Sequence, residues 1–252
     1  MNYFGIDIGG TAIKYGEVNF GDEITTQDFD MVLIPQTFRT EKYTNAIVGL
    51  LQAADKYKGV GIGFPSVVWE DGIMNLDVQF NDIWNIASKL LSEKKIPHFA
   101  INDADAAGFA ELYNPAASEL RKGVTIVLTL GTGIGSAIFL DGKLLPNSEL
   151  GMLEIRGFQA EHYAAASIKR RDCLAMQEWA SRLQEYITQL EIVLSPDHII
   201  LGGGISSNFE EFRQFLSTKR ADIAPAFYRN QAGVVGAAMY SAFRSNGYSI
   251  DN

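Results

Sequence analysis

The chain has 252 residues, of which 47% are hydrophobic and 20% charged, the balance of a globular protein long enough for two ordinary lobes or one large domain. A net charge of −9 argues against general affinity for nucleic acid, whose phosphates demand clustered Lys and Arg. The lone cysteine, Cys173, excludes an internal disulfide, and the scattered His98, His162 and His198 give no zinc-ligand spacing.

In chain order, Tyr3–Ile8 alternates and is β-prone, Gly9-Gly10 turns, and Ala12–Val18 continues as a return strand. Thr40–Tyr57 carries Ile47, Leu50, Leu51 and Ala54 at helical spacing. Val60–Phe64 is a short strand stopped by Pro65, and Trp84–Leu91 is helical. Phe99–Ile101 is a strand running into Asn102-Asp103, followed by the alanine-rich helix Ala104–Tyr113. The second half opens the same way. Val124–Leu130 is a buried strand, Gly131-Thr132-Gly133-Ile134-Gly135 turns, and Ser136–Leu140 returns. A long helix carries Leu174, Trp179, Leu183, Tyr186, Leu190 and Leu194 on one core-facing stripe. His198–Leu201 is a strand ending in Gly202-Gly203-Gly204, and Val234–Phe243 is an apolar helix. Within the first of these helical patterns Cys173 reads as a buried, inert thiol, and Lys169-Arg170-Arg171 as a solvated helix end.

Strand, glycine turn and return strand thus occur twice, with Ile8-Gly9-Gly10-Thr11 over Leu130-Gly131-Thr132-Gly133. Such a repeat predicts two similar halves around a cleft. No apolar run approaches a membrane span, and MNYFGIDIGG lacks a basic region followed by an apolar stretch. The expectation is therefore a cytoplasmic protein with no membrane partner.

Three glycine clusters follow strands: residues 7–11, 131–135 and 202–204. Glycine lets the backbone turn sharply and lets a ligand reach N–H groups with no Cβ in the way. One cluster is a tight turn; three at strand ends, two with threonine, point to a ligand cradle. No GxxxxGK[ST] occurs, and the middle cluster opens a return strand rather than a helix, which disfavours P-loop and dinucleotide sites. Asp7, read as lying in the first turn, either shares a divalent cation with a phosphate or binds its own backbone. Asn102-Asp103 at a strand–helix junction reads on its own as an N-cap, and Glu149 and Glu161 read singly as surface charge.

Taken in order, GIDIGGTAIK (5–14), NDADAAGFAE (102–111), LTLGTGIGSAIFLDGKLLPNSELG (128–151), AEHYA (160–164) and WASRLQEYITQLEIVLSPDHIILGGGIS (179–206) resemble the ROK sugar kinases, most closely their polyphosphate-glucokinase branch. The resemblance implies an α/β, two-lobed actin-like ATPase (ribonuclease H-like) fold with a central ligand cleft. One lobe would comprise residues 1–104 plus the C-terminal helix at about 234–252, the other residues 105–233. It implies a phosphotransferase moving a phosphoryl group from ATP or polyphosphate to a hexose hydroxyl, glucose 6-OH by default. Gly9, Gly10 and Thr11, with Gly131, Thr132 and Gly133, would bind donor phosphates, and Asp7 would help hold Mg²⁺, through water. Asp103 would be the general base, with Asn102, Glu149 and Glu161 holding the sugar. Gly202, Gly203 and Gly204 would line the nucleotide side. Relatives are commonly homodimers. The cysteine-rich zinc motif of many ROK proteins has no counterpart here, so no structural zinc is expected. Where the family pattern ends ELGH, this chain has Glu149-Leu150-Gly151-Met152, and a thioether cannot donate the histidine's hydrogen bond.

Two other classes compete. A sugar sensor derived from a ROK kinase fits Met152 but has no need of Asp7 and Asp103, and the hairpin beginning by residue 3 leaves no room before it for a DNA-binding module. An actin-like or chaperone-type ATPase predicts hydrolysis without a sugar acceptor, against the match at Asn147–Gly151.

Overall fold

A computed structural model describes residues 2–21, 23–34, 39–69, 72–74 and 78–246. The chain divides into two compact units, Met1–Ala110 with Gly233–Asn252, and Glu111–Ala232. Residues 247–252, assigned from sequence to the first lobe, lie outside the described residues.

The first unit is built on β1 (Asn2–Ile8), β2 (Ala12–Phe20), β3 (Ile24–Leu33), α1 (Arg39–Leu51), β4 (Val60–Phe64), the small hairpin β5 (Val67–Trp69) and β6 (Gly72–Met74), α2 (Val78–Glu93), β7 (His98–Asn102) and α3 (Asp103–Leu112). Its sheet has the order β3-β2-β1-β4-β7. β1, β2 and β3 form an antiparallel meander, and β1, β4 and β7 run parallel. Ile6 and Ile8 share a core with Ile62, Phe64, Tyr43 and Ile47 of α1 and Ile83 and Leu91 of α2.

The second unit contains β8 (Val124–Leu130), β9 (Ile134–Leu140), β10 (Lys143–Leu145), β11 (Glu154–Ile155), β12 (Phe158–Gln159), α4 (Ala160–Ala164), α5 (Ala166–Arg171), α6 (Met176–Leu194), β13 (His198–Gly202), α7 (Phe209–Arg213) and β14 (Asp222–Pro225). The order β10-β9-β8-β13-β14 repeats the first sheet: an antiparallel meander, then two strands added in parallel. Trp179, Leu183, Tyr186 and Leu190 of α6 lie in one core with Ile126, Leu128, Leu130, Ile199 and Leu201. Each such buried aliphatic side chain contributes about 1.5–3 kcal/mol of transfer free energy.

The last helix, α8 (Ala232–Ser245), returns almost wholly to the first unit, where glycines let it touch backbone. A Cβ on Gly5 would lie 2.0 Å from Val234 O, one on Gly61 1.8 Å from Ala237 O, and one on Gly236 1.6 Å from Ala106 O. Gly5 and Gly61 are register partners on β1 and β4, so α8 rests on a flat, side-chain-free strip.

The structure corrects three local readings. The edge strand β3 is absent from the hydrophobic pattern: its sequence ITTQDFDMVL is polar and mostly exposed, so no apolar run announces it. Cys173 is exposed, outside any helix and at φ 51°. α5 ends at Arg171, and the chain turns left-handed before α6 begins, which points the thiol outward. Asp7 lies on β1 rather than in the turn.

Candidate active site

The first glycine turn is fixed from behind. Gly9 N donates to Ala12 O at 2.9 Å and closes the hairpin. Ile34 N donates to Thr11 O at 2.9 Å, and the hydroxyl of the fully buried Tyr43 donates to Gly9 O at 2.6 Å. With these carbonyls occupied, the tip of the turn is held rigid. Asp7, two residues before Gly9, is buried at 8% exposure. It sits opposite Lys14 in the ladder, and Lys14 Nζ lies 3.2 Å from Asp7 Oδ2. The carboxylate also packs on the first turn of α8, where a Cβ on Gly233 would fall 2.6 Å from Asp7 Cγ. A helix N-terminus favours a negative charge there.

In the same unit, Asp7 pairs in register with Gly63 of β4, and Gly63 with Ile101 of β7. Asn102 and Asp103 come next, so Asp7, the glycine turn and Asp103 all lie toward the carboxyl ends of three parallel strands. Open α/β sheets bind ligands at that end. Asn102 is the cap its position suggests. Its Oδ1 accepts from Ala104 N at 2.9 Å and Asp105 N at 3.0 Å, and its Nδ2 donates to Ser66 O at 3.1 Å. One amide hydrogen is left for a ligand. Asp103 Oδ1 accepts from Ala104 N at 2.8 Å, and its partly exposed side chain sits on the first residue of α3.

In the second unit, Gly131 N donates to Gly133 O at 3.0 Å across the tip of the β8–β9 hairpin. α5 grips this tip: Ser167 N donates to Gly131 O at 3.0 Å, and Ser167 Oγ to Thr132 O at 2.6 Å. Glu161, on α4, lies against the same tip, because a Cβ on Gly133 would meet Glu161 Oε2 at 2.4 Å. Glu149 is close enough for its charge to be felt. Its carboxyl is held above the ordinary value, first by desolvation and then by the Glu161 carboxylate. The segment carrying Glu149 is stitched to β9. Ser136 Oγ donates to Ser148 O at 2.8 Å and accepts from Leu150 N at 2.9 Å, and Ser148 Oγ donates to Ser136 O at 2.9 Å. Gly151 must be glycine, since a Cβ would stand 2.2 Å from Ile134 O. Met152 follows, 49% exposed. Gly202 ends β13, and Gly203, at φ 82°, lies where a Cβ would stand 2.3 Å from Leu130 O. The second and third glycine clusters are thereby neighbours.

The chain has known relatives. The ROK family model matches residues 3–152. The polyphosphate glucokinase of Mycobacterium leprae (strain TN) is 35% identical over 244 residues, covering 94% of this chain and 74% of that protein. This chain belongs to the ROK family. The polyphosphate glucokinase of Mycobacterium tuberculosis (strain CDC 1551 / Oshkosh) is 34% identical, covering 94% of this chain and 90% of its own. The crystal structure of an inorganic polyphosphate/ATP-glucomannokinase from Arthrobacter sp. strain KM superposes with a TM-score of 0.85 at 38% identity, covering 96% of this chain and 99% of that one. The fold is the actin-like ATPase fold of ROK sugar kinases.

Four residues that hold Asp7 or the glycine turns escape sequence reading: Tyr43, Lys14 and Gly233 in the first unit, and Ser167 in the second. Lys14 stands inside the first ROK segment, and its ladder position opposite Asp7 was available from the hairpin register. The others act from helices remote in sequence. Among the described residues no group of three or more His, Cys, Asp or Glu comes together. A single carboxylate at Asp7 suits Mg²⁺, which keeps several waters and takes phosphate oxygens for most of its shell, and does not suit an all-protein cage. No helix among the described residues is long and apolar enough to cross a membrane.

Proposed function

We propose that this ROK protein phosphorylates glucose at its 6-hydroxyl, taking the phosphoryl group from ATP or inorganic polyphosphate with Mg²⁺. The observation that supports it best is the placement of Asp103. It is a partly exposed carboxylate at a strand–helix junction, in the same unit and at the same strand ends as Asp7 and a braced glycine turn. The similarity to polyphosphate glucokinases over 94% of this chain supports the acceptor class.

In this reading Asp103 takes the proton from the sugar hydroxyl as its oxygen attacks the terminal phosphorus, and ADP or a shortened polyphosphate leaves. Little covalent work falls to the protein; positioning and charge stabilisation carry the rate. The Gly9-Gly10-Thr11 and Gly131-Thr132-Gly133 turns receive donor phosphates, the N–H groups of Gly9 and Gly131 being spent on closing their own hairpins, and Gly202, Gly203 and Gly204 line the nucleotide side. Asp7 would hold Mg²⁺, which would supply charge neutralisation at the donor phosphates. Glu149 and Glu161 accept hydrogen bonds from sugar hydroxyls, and the remaining amide hydrogen of Asn102 donates to one. Met152 supplies no donor, which weakens the sugar by about 1–3 kcal/mol relative to a site with one more hydrogen bond. The enzyme is cytoplasmic and works as a homodimer, which light scattering on the purified chain would test.

The test is turnover. Hexoses and N-acetylhexosamines are offered with ATP–Mg²⁺ and polyphosphate–Mg²⁺ as separate donors, and glucose is expected to be phosphorylated. Measurable glucose binding with no transfer from either donor would overturn the kinase reading in favour of a sugar sensor.

A further inference from the structure

β13 and β14 run parallel, with Leu201 opposite Pro225. The pairing extends one residue further, since Ala226 N donates to Leu201 O at 2.9 Å. The two chains leave the sheet side by side, and a Cβ on Gly202 would touch that of Ala226 at 3.4 Å. Three segments therefore emerge along the carboxyl ends of β8, β13 and β14. Two are the glycine clusters at 131–133 and 202–204, which offer backbone. The third is Phe227-Tyr228, which offers aromatic rings. Phe227 is 68% exposed, and its ring meets Tyr228 edge-to-face at 5.0 Å.

An exposed phenylalanine forgoes the burial that usually justifies one. This one is nevertheless held firmly. Glu111, only 3% exposed, accepts Phe227 N at one carboxylate oxygen (2.7 Å) and Tyr228 N at the other (3.0 Å). Desolvation raises the Glu111 carboxyl, and these two N–H groups pull it back, so the contact that fixes the aromatic pair also stabilises the buried charge. A solvent-facing aromatic ring on a backbone pinned by Glu111, next to the two glycine clusters, matches a ligand with a flat π-face at one end and phosphates at the other.

We propose that Phe227, braced by Tyr228 and fixed by Glu111, is the platform on which the purine base of a nucleotide donor stacks, and that it sets the preference between ATP and polyphosphate. The inference rests on the kinase reading above. A polyphosphate chain has no base and gains nothing from the ring. Base–aromatic stacking is worth roughly tenfold or more in affinity, and all of it accrues to the nucleotide.

The experiment compares wild type with Phe227→Ala and Phe227→Trp, measuring KM for ATP and for polyphosphate at saturating glucose, with melting temperature as a control. Phe227→Ala is expected to raise KM for ATP about tenfold or more and leave KM for polyphosphate and the melting temperature unchanged; Phe227→Trp should retain wild-type KM for ATP. Equal shifts with both donors, no shift with either, or a wild type that binds ATP no more tightly than tripolyphosphate would overturn the proposal. Failure of the kinase reading looks different: the wild type then transfers phosphate from no donor at all.

Discussion

Substituting Gly233 by alanine tests whether the position of Asp7 matters, and separates activity from stability. The added methyl carbon would stand 2.6 Å from Asp7 Cγ, 2.7 Å from Oδ2 and 3.1 Å from Oδ1, whereas ordinary van der Waals contact begins at 3.4 Å. The carboxylate must retreat by about 0.8 Å, and it takes with it the 3.2 Å contact to Lys14. Alanine is favoured over glycine in a helix interior by about 1 kcal/mol, less in a first turn, so the fold is expected to melt within a few degrees of wild type. A misplacement near 1 Å at a catalytic group costs about 10²-fold in rate, or about 2.7 kcal/mol of activation free energy. The assay is kcat/KM for glucose phosphorylation across a Mg²⁺ titration, beside a thermal melt. Gly233→Ala should lose about a hundredfold in kcat/KM and need more Mg²⁺ for half-saturation. Gly49→Ala is the control: its added carbon meets nothing within 4 Å, so activity should stay at the wild-type level. A folded Gly233→Ala protein within about threefold of wild-type kcat/KM would refute the argument that α8 places Asp7 for the reaction.

Asp103→Asn should fold and bind both substrates while kcat falls by about 10²–10⁴-fold; near-normal turnover would remove Asp103 from the general-base role. Gly61→Ala drives a carbon to 1.8 Å from Ala237 O, and since backbone cannot swing aside it should destabilise the fold by about 3 kcal/mol or more, read as a lower urea midpoint. For Glu149 the raised carboxyl fixes the sign. Its contribution to stability is complete below the ordinary value of 4.5 and is lost as pH rises through the raised one. Glucose binding, which uses the ionised acceptor, should rise over that same window. Glu161→Gln removes the second cause and should move the inflection to lower pH, measured by calorimetric titration of glucose. An inflection that stays in place would show that the two carboxylates do not act on each other.

Sequence was most informative where one chain segment carries its own signal. β8 is a run of apolar residues ended by a glycine turn, and its bounds are those expected, Val124–Leu130. The α6 stripe through Trp179, Leu183, Tyr186 and Leu190 is buried as its spacing implies. The paired hairpins foretold the repeated sheet topology. What stayed hidden depends on contact between distant segments. Nothing near Gly5 or Gly61 says that α8 will lie on them, because the reason is a carbonyl more than 170 residues away. β3 is an edge strand whose alternation of threonine, aspartate and apolar residues is shared with solvated loops. Cys173 sits among residues with helical spacing on both sides, and only the left-handed turn between α5 and α6 breaks the run. Ser167 looks like any helix serine until its hydroxyl is seen on Thr132 O. Asn102 was legible as a cap, and its Oδ1 is spent on the N–H groups of Ala104 and Asp105.

The most direct test of the central claim is the structure of the product. Glucose is incubated with the purified protein and either ATP–Mg²⁺ or polyphosphate–Mg²⁺, and the phosphorus–proton couplings of the product are read by NMR. The account predicts glucose 6-phosphate, formed from at least one donor in step with donor consumption. Phosphate appearing only as the free inorganic ion, or on a different hydroxyl, would contradict it.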